Sequence, residues 1–111
     1  MHAVVIEQSG NTTIVRGAGE LDAFAAPDLA SAFHDVRGAA SVLADLSRVS
    51  FMDSTALGAI VRGVRALGEE GARVQVVLPH GTARRIFEIT TLDRALPVAA
   101  TRQAALEALE A

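Results

Sequence analysis

The sequence predicts an α/β fold: a mixed sheet of four to five strands, opened by an N-terminal β-hairpin, with about four helices packed against it. Three observations lead there. Short β-branched runs alternate with segments of helical periodicity along the chain. The connections between them are short and punctuated by Gly, Pro, Asn and Ser. After the hairpin, each strand is separated from the next by a helix, the arrangement that gives right-handed parallel crossovers. At 111 residues, residues 1–111 form one expected domain, which buries roughly two-thirds of its unfolded surface.

The elements follow in order. Ala3–Glu7 and Thr12–Arg16 flank the turn-forming Ser9–Asn11, and read as a hairpin. In "AFAAPDLASAFHDV", Pro27 suits a first helical turn, and Leu29, Ala32, Phe33 and Val36 share a helical face. Ser41–Ser47 is a strand-length run, followed by an expected loop at Arg48–Ser50. The next helix carries Leu57, Ile60, Val61, Val64 and Leu67 on one stripe and ends at "GEEG", where Gly71 suits a left-handed C-terminal cap. Arg73–Pro79 is a strand. A short helix over Thr82–Glu88 buries Ala83, Ile86 and Phe87, "ALPV" adds a last short strand, and "TRQAALEALEA" is a terminal helix capped by Thr101.

Composition narrows the function. Half of the residues are hydrophobic (50%), and the net charge is −3, from 10 basic and 13 acidic residues without a basic block. Direct nucleic-acid binding, which needs clustered Lys and Arg, is disfavoured. The chain has no cysteine, hence no disulfide or thiolate ligand, and its N-terminus lacks the pattern of a signal peptide. No apolar run is long enough to span a bilayer, so a cytoplasmic protein without membrane insertion is expected. His2, His34 and His80 lack metal-ligand spacing, and no metal or cofactor is expected. There is no P-loop, and the chain contains no lysine to serve one.

The chemistry concentrates in "FMDSTALG", Phe51–Gly58, where a strand-like run meets a helix. Ser54 is a poor nucleophile candidate, because its flanks, Met52 and Ala56, do not make a G-x-S-x-G elbow and no base is placed beside it. Asp53, Ser54 and Thr55 are three successive cap candidates where one suffices. With Asp53 as the cap, the Ser54 hydroxyl is free to face solvent, and a phosphate there would meet the positive end of the helix dipole. Asp53 would oppose that phosphate by like-charge repulsion, so the effect would fall on a docking partner. Ser54, Gly58, Arg62 and Arg65 form one polar stripe at 4-4-3 spacing. Gly58 inside a helix costs up to roughly 1 kcal/mol relative to Ala, which a partner's close approach or internal packing would explain. Arg62 starts about 12 Å from Ser54 along the axis, a distance that argues against its neutralising a phosphate there directly, and reads as a separate partner contact or a solvated arginine.

"GELD" (Gly19–Asp22), "DLSRVSFMDSTALGAIV" (Asp45–Val61), "GARVQVVLP" and "RRIFEITTLDRALPV" together resemble the STAS domain, specifically the small stand-alone anti-sigma factor antagonists of bacteria. The resemblance implies the STAS fold and a binding protein, not an enzyme. It implies that Ser54, with Thr55 as the secondary acceptor, is phosphorylated by an anti-sigma factor serine kinase to which the ATP and its metal belong. The unphosphorylated antagonist would bind the kinase and release the sigma factor; a protein phosphatase would reset it. It further implies partner contact by Asp22, the acidic position beside the acceptor. Around it the expected docking set is Asp53, Ser54, Thr55, Ala56, Gly58 and Arg62. Two departures stand out: Ala56 and Thr91 occupy positions where the family usually has Gly, and the Ala56 methyl is expected beside Ser54. The alternative reading is a structural STAS subunit of a lipid-transport ABC complex or a stress-signalling scaffold.

Overall fold

The first two strands, β1 (His2–Ser9) and β2 (Thr12–Leu21), pair antiparallel about a two-residue turn, with Ser9 opposite Thr12. The remaining elements are α1 (Ala26–Asp35), β3 (Ser41–Met52), α2 (Ser54–Glu69), β4 (Arg73–Val77), α3 (Thr82–Ile89), β5 (Val98–Ala99) and α4 (Arg102–Glu110). They come from a computed structural model that describes residues 1–78, 81–89 and 96–110. The five strands form one sheet in the order β1-β2-β3-β4-β5. Every pair after the hairpin is parallel, as the helical crossovers require. This is the mixed sheet with an N-terminal hairpin that the sequence predicts, with four helices among the described residues.

Side-chain alternation divides the core. Val42, Ala44 and Leu46 of β3 face the α1–α2 layer, where they meet Leu29, Phe33, Leu57, Ile60, Val64 and Leu67. Leu43 points the other way and joins Ile14, Val77, Ala105 and Leu109 under α4. The middle strands therefore read as near-continuous apolar runs because both faces are covered. Val61 and Ile86, expected on buried stripes, are half-buried margins of the core, whereas Phe87 is fully buried. Where α1 crosses α2, Phe33 lies on Gly63, and a Cβ at that glycine would fall well inside the Phe33 side chain. Gly63 thus sets how closely the two helices approach.

The helix ends follow their sequence signals. Thr101 Oγ1 accepts from Ala104 N at 3.1 Å and caps α4. Gly71 takes φ +94°, and Ala72 N donates to Leu67 O at 3.0 Å, closing α2 as a Schellman motif. The expected loop at Arg48–Ser50 is instead strand. β3 continues to Met52, because β2 continues to Leu21 and pairs with it through two register shifts, ending at Leu21 opposite Met52. Each shift inserts an extra residue in β3 and changes which side chains face the core, which hides the strand from a period-two pattern. The final strand begins at Val98, inside the expected "ALPV" region. Pro79, Thr91 and the Ala83 side chain lie outside the described residues.

Candidate functional site

The extension of β2 and β3 builds the site. The two parallel strands stop together, and Asp53 N donates to Leu21 O at 3.0 Å just past the last pair. Asp22 and Asp53, separated by thirty-one positions in the chain, are thereby set at neighbouring C-terminal strand ends. This is the edge of a parallel sheet where α/β folds commonly place their binding residues. Gly19 of "GELD" permits the convergence: it sits at φ +79° against the Met1 carbonyl, where a side chain would have no room.

Asp53 is the cap of α2. With extended backbone (φ −98°, ψ 177°), its Oδ1 accepts from Ala56 N at 2.9 Å and its carbonyl accepts from Leu57 N at 3.0 Å. The cap leaves the Ser54 hydroxyl without a structural duty, and Ser54 and Thr55 are both exposed on the first turn. Ala56 is different. It was expected on the docking surface beside Ser54, yet its side chain is 0% exposed and belongs to the α1–α2 core. Because Ser54 and Thr55 take the outward positions of the turn, Ala56 and Leu57 take the inward ones. The Ala56 methyl is a packing group, not a contact for a partner.

Asp22 organises the turn from β2 into α1. Its Oδ1 accepts from Phe24 N at 3.0 Å, and its carbonyl accepts from Ala25 N and Ala26 N at 3.0 and 3.2 Å. These bonds cap α1 from outside, since Ala25 at its N-cap offers no side-chain acceptor. They also fix Phe24 outward, at 82% exposure. Phe51, two residues before Asp53, is 50% exposed. Two of the four phenylalanines in an aromatic-poor chain are thus displayed next to the two acidic strand ends. Sequence reasoning missed both. The available signal was that Phe24 falls outside the Leu29–Ala32–Phe33–Val36 stripe, so the buried face of the following helix had no use for it.

Further along α2, Gly58 is half-buried and Arg62 exposed. The arginine folds back over the glycine: a Cβ on Gly58 would lie 3.1 Å from Arg62 Nη1 and 3.8 Å from its Cζ. Gly58 is therefore roofed by a side chain of its own helix, in keeping with the N-terminal lean of helical side chains. Among the described residues, no carboxylate or other acceptor holds the Arg62 guanidinium.

The opposite face of the sheet carries a closed charge cluster. Asp45, 3% exposed, accepts from Arg102 Nε at 3.1 Å and from Ser47 N at 2.9 Å. Arg102 also approaches Glu7 at 3.8 Å, and Glu7 is paired with Arg16. Burial by itself pushes the Asp45 carboxyl up; the Ser47 hydrogen bonds and the Arg102 charge overcome it and hold the group below its usual range. Of the histidines, His2 meets Asp28 at 2.7 Å, His34 lies in the last turn of α1, and His80 is outside the described residues. Among the described residues no cluster of three or more His, Cys, Asp or Glu is arranged to hold a metal, and no helix is long and apolar enough to cross a membrane.

Comparison with known proteins matches this architecture. The STAS domain family model covers residues 3–105. The anti-sigma-B factor antagonist of Staphylococcus aureus (strain NCTC 8325 / PS 47) is 34% identical over 80 residues, which are 70% of this chain and 74% of that protein. The crystal structure of an anti-sigma factor antagonist from Mycobacterium paratuberculosis superposes with a TM-score of 0.90 at 28% identity, covering 100% of this chain and 96% of that one. The Bacillus cell-fate determinant SpoIIAA, solved in its phosphorylated form, superposes with a TM-score of 0.71 at 27% identity, covering 95% and 97%.

Proposed function

Since the chain belongs to the STAS domain family, we propose that it is an anti-sigma factor antagonist: a binding protein that docks onto an anti-sigma serine kinase through the Asp22–Asp53 edge and is switched off by phosphorylation of Ser54. The observation that carries this reading is the division of labour at the start of α2. Asp53 alone satisfies the cap, and the adjacent Ser54 hydroxyl is left exposed at a helix N-terminus. The relatives named as anti-sigma factor antagonists, and the phosphorylated form in which SpoIIAA was solved, support it.

In the proposed cycle the unphosphorylated protein occupies the kinase and frees the sigma factor. Asp22, Asp53, Ser54, Thr55 and Arg62 supply polar contacts, and Phe24 an aromatic anchor of the kind that dominates interface energetics. The kinase transfers the γ-phosphoryl group of its own ATP to Ser54: the Oγ–P bond forms, ADP leaves, and the hydroxyl proton passes to the kinase. The new group adds about −1.5 to −2 charges beside Asp53 and Asp22, and this change of charge and bulk on the docking edge releases the complex. A phosphatase restores the hydroxyl. ATP and its metal belong to the kinase, and the switch operates in the cytoplasm.

The test is labelling by the purified kinase with radiolabelled ATP. Wild type incorporates one phosphate, Ser54→Ala incorporates none, and Ser54→Asp binds the kinase more weakly. Undiminished labelling of Ser54→Ala overturns the assignment of the acceptor. Capture of a transporter ATPase in place of a kinase overturns the regulatory reading in favour of a structural subunit.

A further inference from the structure

We propose that Arg62 is a phosphate clamp built into α2, brought within reach of Ser54 by the missing side chain of Gly58. The proposal rests on Ser54 as the phosphoacceptor and assigns what the phosphate does once it is there.

The geometry is specific. Ser54, Gly58 and Arg62 are successive i, i+4 positions of one helix, so neighbouring Cβ positions in the series are about 5–6 Å apart. Measured between Cα atoms, Arg62 starts two turns from Ser54, about 12 Å along the axis. Its side chain cancels much of that gap, because Nη1 lies 3.1 Å from where a Gly58 Cβ would be, one turn closer to the serine. A phosphoryl group on Ser54 extends past Oγ, and the same N-terminal lean that aims Arg62 along the helix aims its guanidinium at that end. A side chain at position 58 would crowd the guanidinium where it now lies. The helical glycine, unfavourable on propensity grounds, is what opens the path.

The electrostatics are equally particular. Asp53 and Asp22 are already committed to backbone N–H groups, of Ala56 and Phe24 respectively. Both carboxylates oppose a phosphate at Ser54. Arg62 is the nearest cation along α2, and among the described residues nothing else claims it. Arg65, eleven positions from Ser54, begins about 16 Å away along the axis. A guanidinium offers a planar fork that matches phosphate oxygens. The pairing would change the docking surface twice with one modification. It would add negative charge at Ser54, and it would neutralise the cation that the unphosphorylated helix presents to a partner.

The experiment uses the full chain with phosphoserine incorporated at position 54 during translation, so that no kinase is needed, and follows the phosphate by 31P NMR titration. The guanidinium stabilises the dianion, so the second phosphate pKa is lower in wild type than in Arg62→Gln, by about 0.5. Gly58→Ala raises it by less, with the arginine retained, because the new methyl crowds the flexible Nη1 from 3.1 Å and shifts it without removing it. Arg65→Gln leaves it where it is. A phosphate that titrates identically in wild-type and Arg62→Gln proteins overturns the proposal. A kinase that ignores Ser54 defeats the proposed function in the labelling assay, yet leaves this titration untouched, so the two failures are separable.

Discussion

Asp45 and Asp53 lie eight residues apart on the same strand-to-helix path, and each carboxylate accepts a backbone N–H at 2.9 Å. What differs is the nearby cation. Arg102 is locked onto Asp45, a buried carboxylate whose ionised form the Ser47 hydrogen bonds and the arginine together support. Arg62, on the half-exposed Asp53 side, is locked onto nothing among the described residues. A buried charge has to be compensated internally, and a compensated charge is unavailable to a partner. The closed cluster is therefore architecture, and the open one is where recognition has room to act. Perturbation of a titrating group points away from the site here: the carboxyl that shifts is Asp45, on the sheet face opposite the α1–α2 layer.

The largest expected effect breaks the closed cluster. Asp45→Ala removes the acceptor for Arg102 and Ser47, and should cost about 2–3 kcal/mol in urea unfolding. Acid adds a direction. The folded Asp45 carboxyl lies below its ordinary value of 3.8, so its contribution is complete above that pH and is lost as pH falls through the lower folded value. The stability gap between wild type and Asp45→Asn should hold from neutrality to about pH 4 and then narrow. Arg102→Gln should move the acid-unfolding midpoint upward, because it removes a charge that holds the carboxyl down. An acid midpoint unaffected by Arg102→Gln would mean that the ion pair adds nothing.

Much of this was legible in the sequence, and the exceptions have physical causes. The hairpin, the helical crossovers, the Gly71 stop and the Thr101 cap each depend on local chemistry, which a sequence displays directly. The second half of β3 does not. Its identity as strand depends on β2 running alongside it, and two register shifts scramble the alternation from Ser47 to Phe51. At the site, the Asp53 cap was readable because capping chemistry is local, whereas Asp22 came from the resemblance and its turn bonds show only in the fold. The inward direction of Ala56 required knowing which side of the first turn faces the core. The reach of Arg62 required a rotamer, because distance along the axis counts backbone and ignores where a long side chain lies. Phe24 shows in the sequence only as an aromatic off the helical stripe, and its outward direction depends on the turn that Asp22 builds.

The next effect sharpens the open side. Asp53→Ala removes the α2 cap and should cost about 1 kcal/mol, well short of the loss at Asp45. Asp53→Asn keeps the acceptor for Ala56 N and should cost only a few tenths of a kcal/mol, while deleting the charge that opposes a phosphate on Ser54. If the carboxylate matters as a cap alone, Asp53→Asn should match wild type in kinase labelling. Faster or slower labelling would instead show that its charge is read by the partner.

The smallest effects on stability belong to Phe24 and Arg62, and they make the comparison most decisively. Phe24→Ser removes a ring that is 82% exposed, and Arg62→Gln removes a cation with no internal partner among the described residues. Both should melt within about 0.5 kcal/mol of wild type, as surface substitutions usually do. Binding to the proposed kinase partner should nevertheless fall, about tenfold for Phe24→Ser and about fivefold for Arg62→Gln, by isothermal calorimetry with the unphosphorylated protein. Arg102→Gln should show the reverse pattern, less stable and unchanged in affinity. That inversion cannot arise from a general loosening of the fold, since loosening would carry affinity and stability down together. Equal affinity losses for Arg62→Gln and Arg102→Gln would erase the distinction between the open cluster and the closed one.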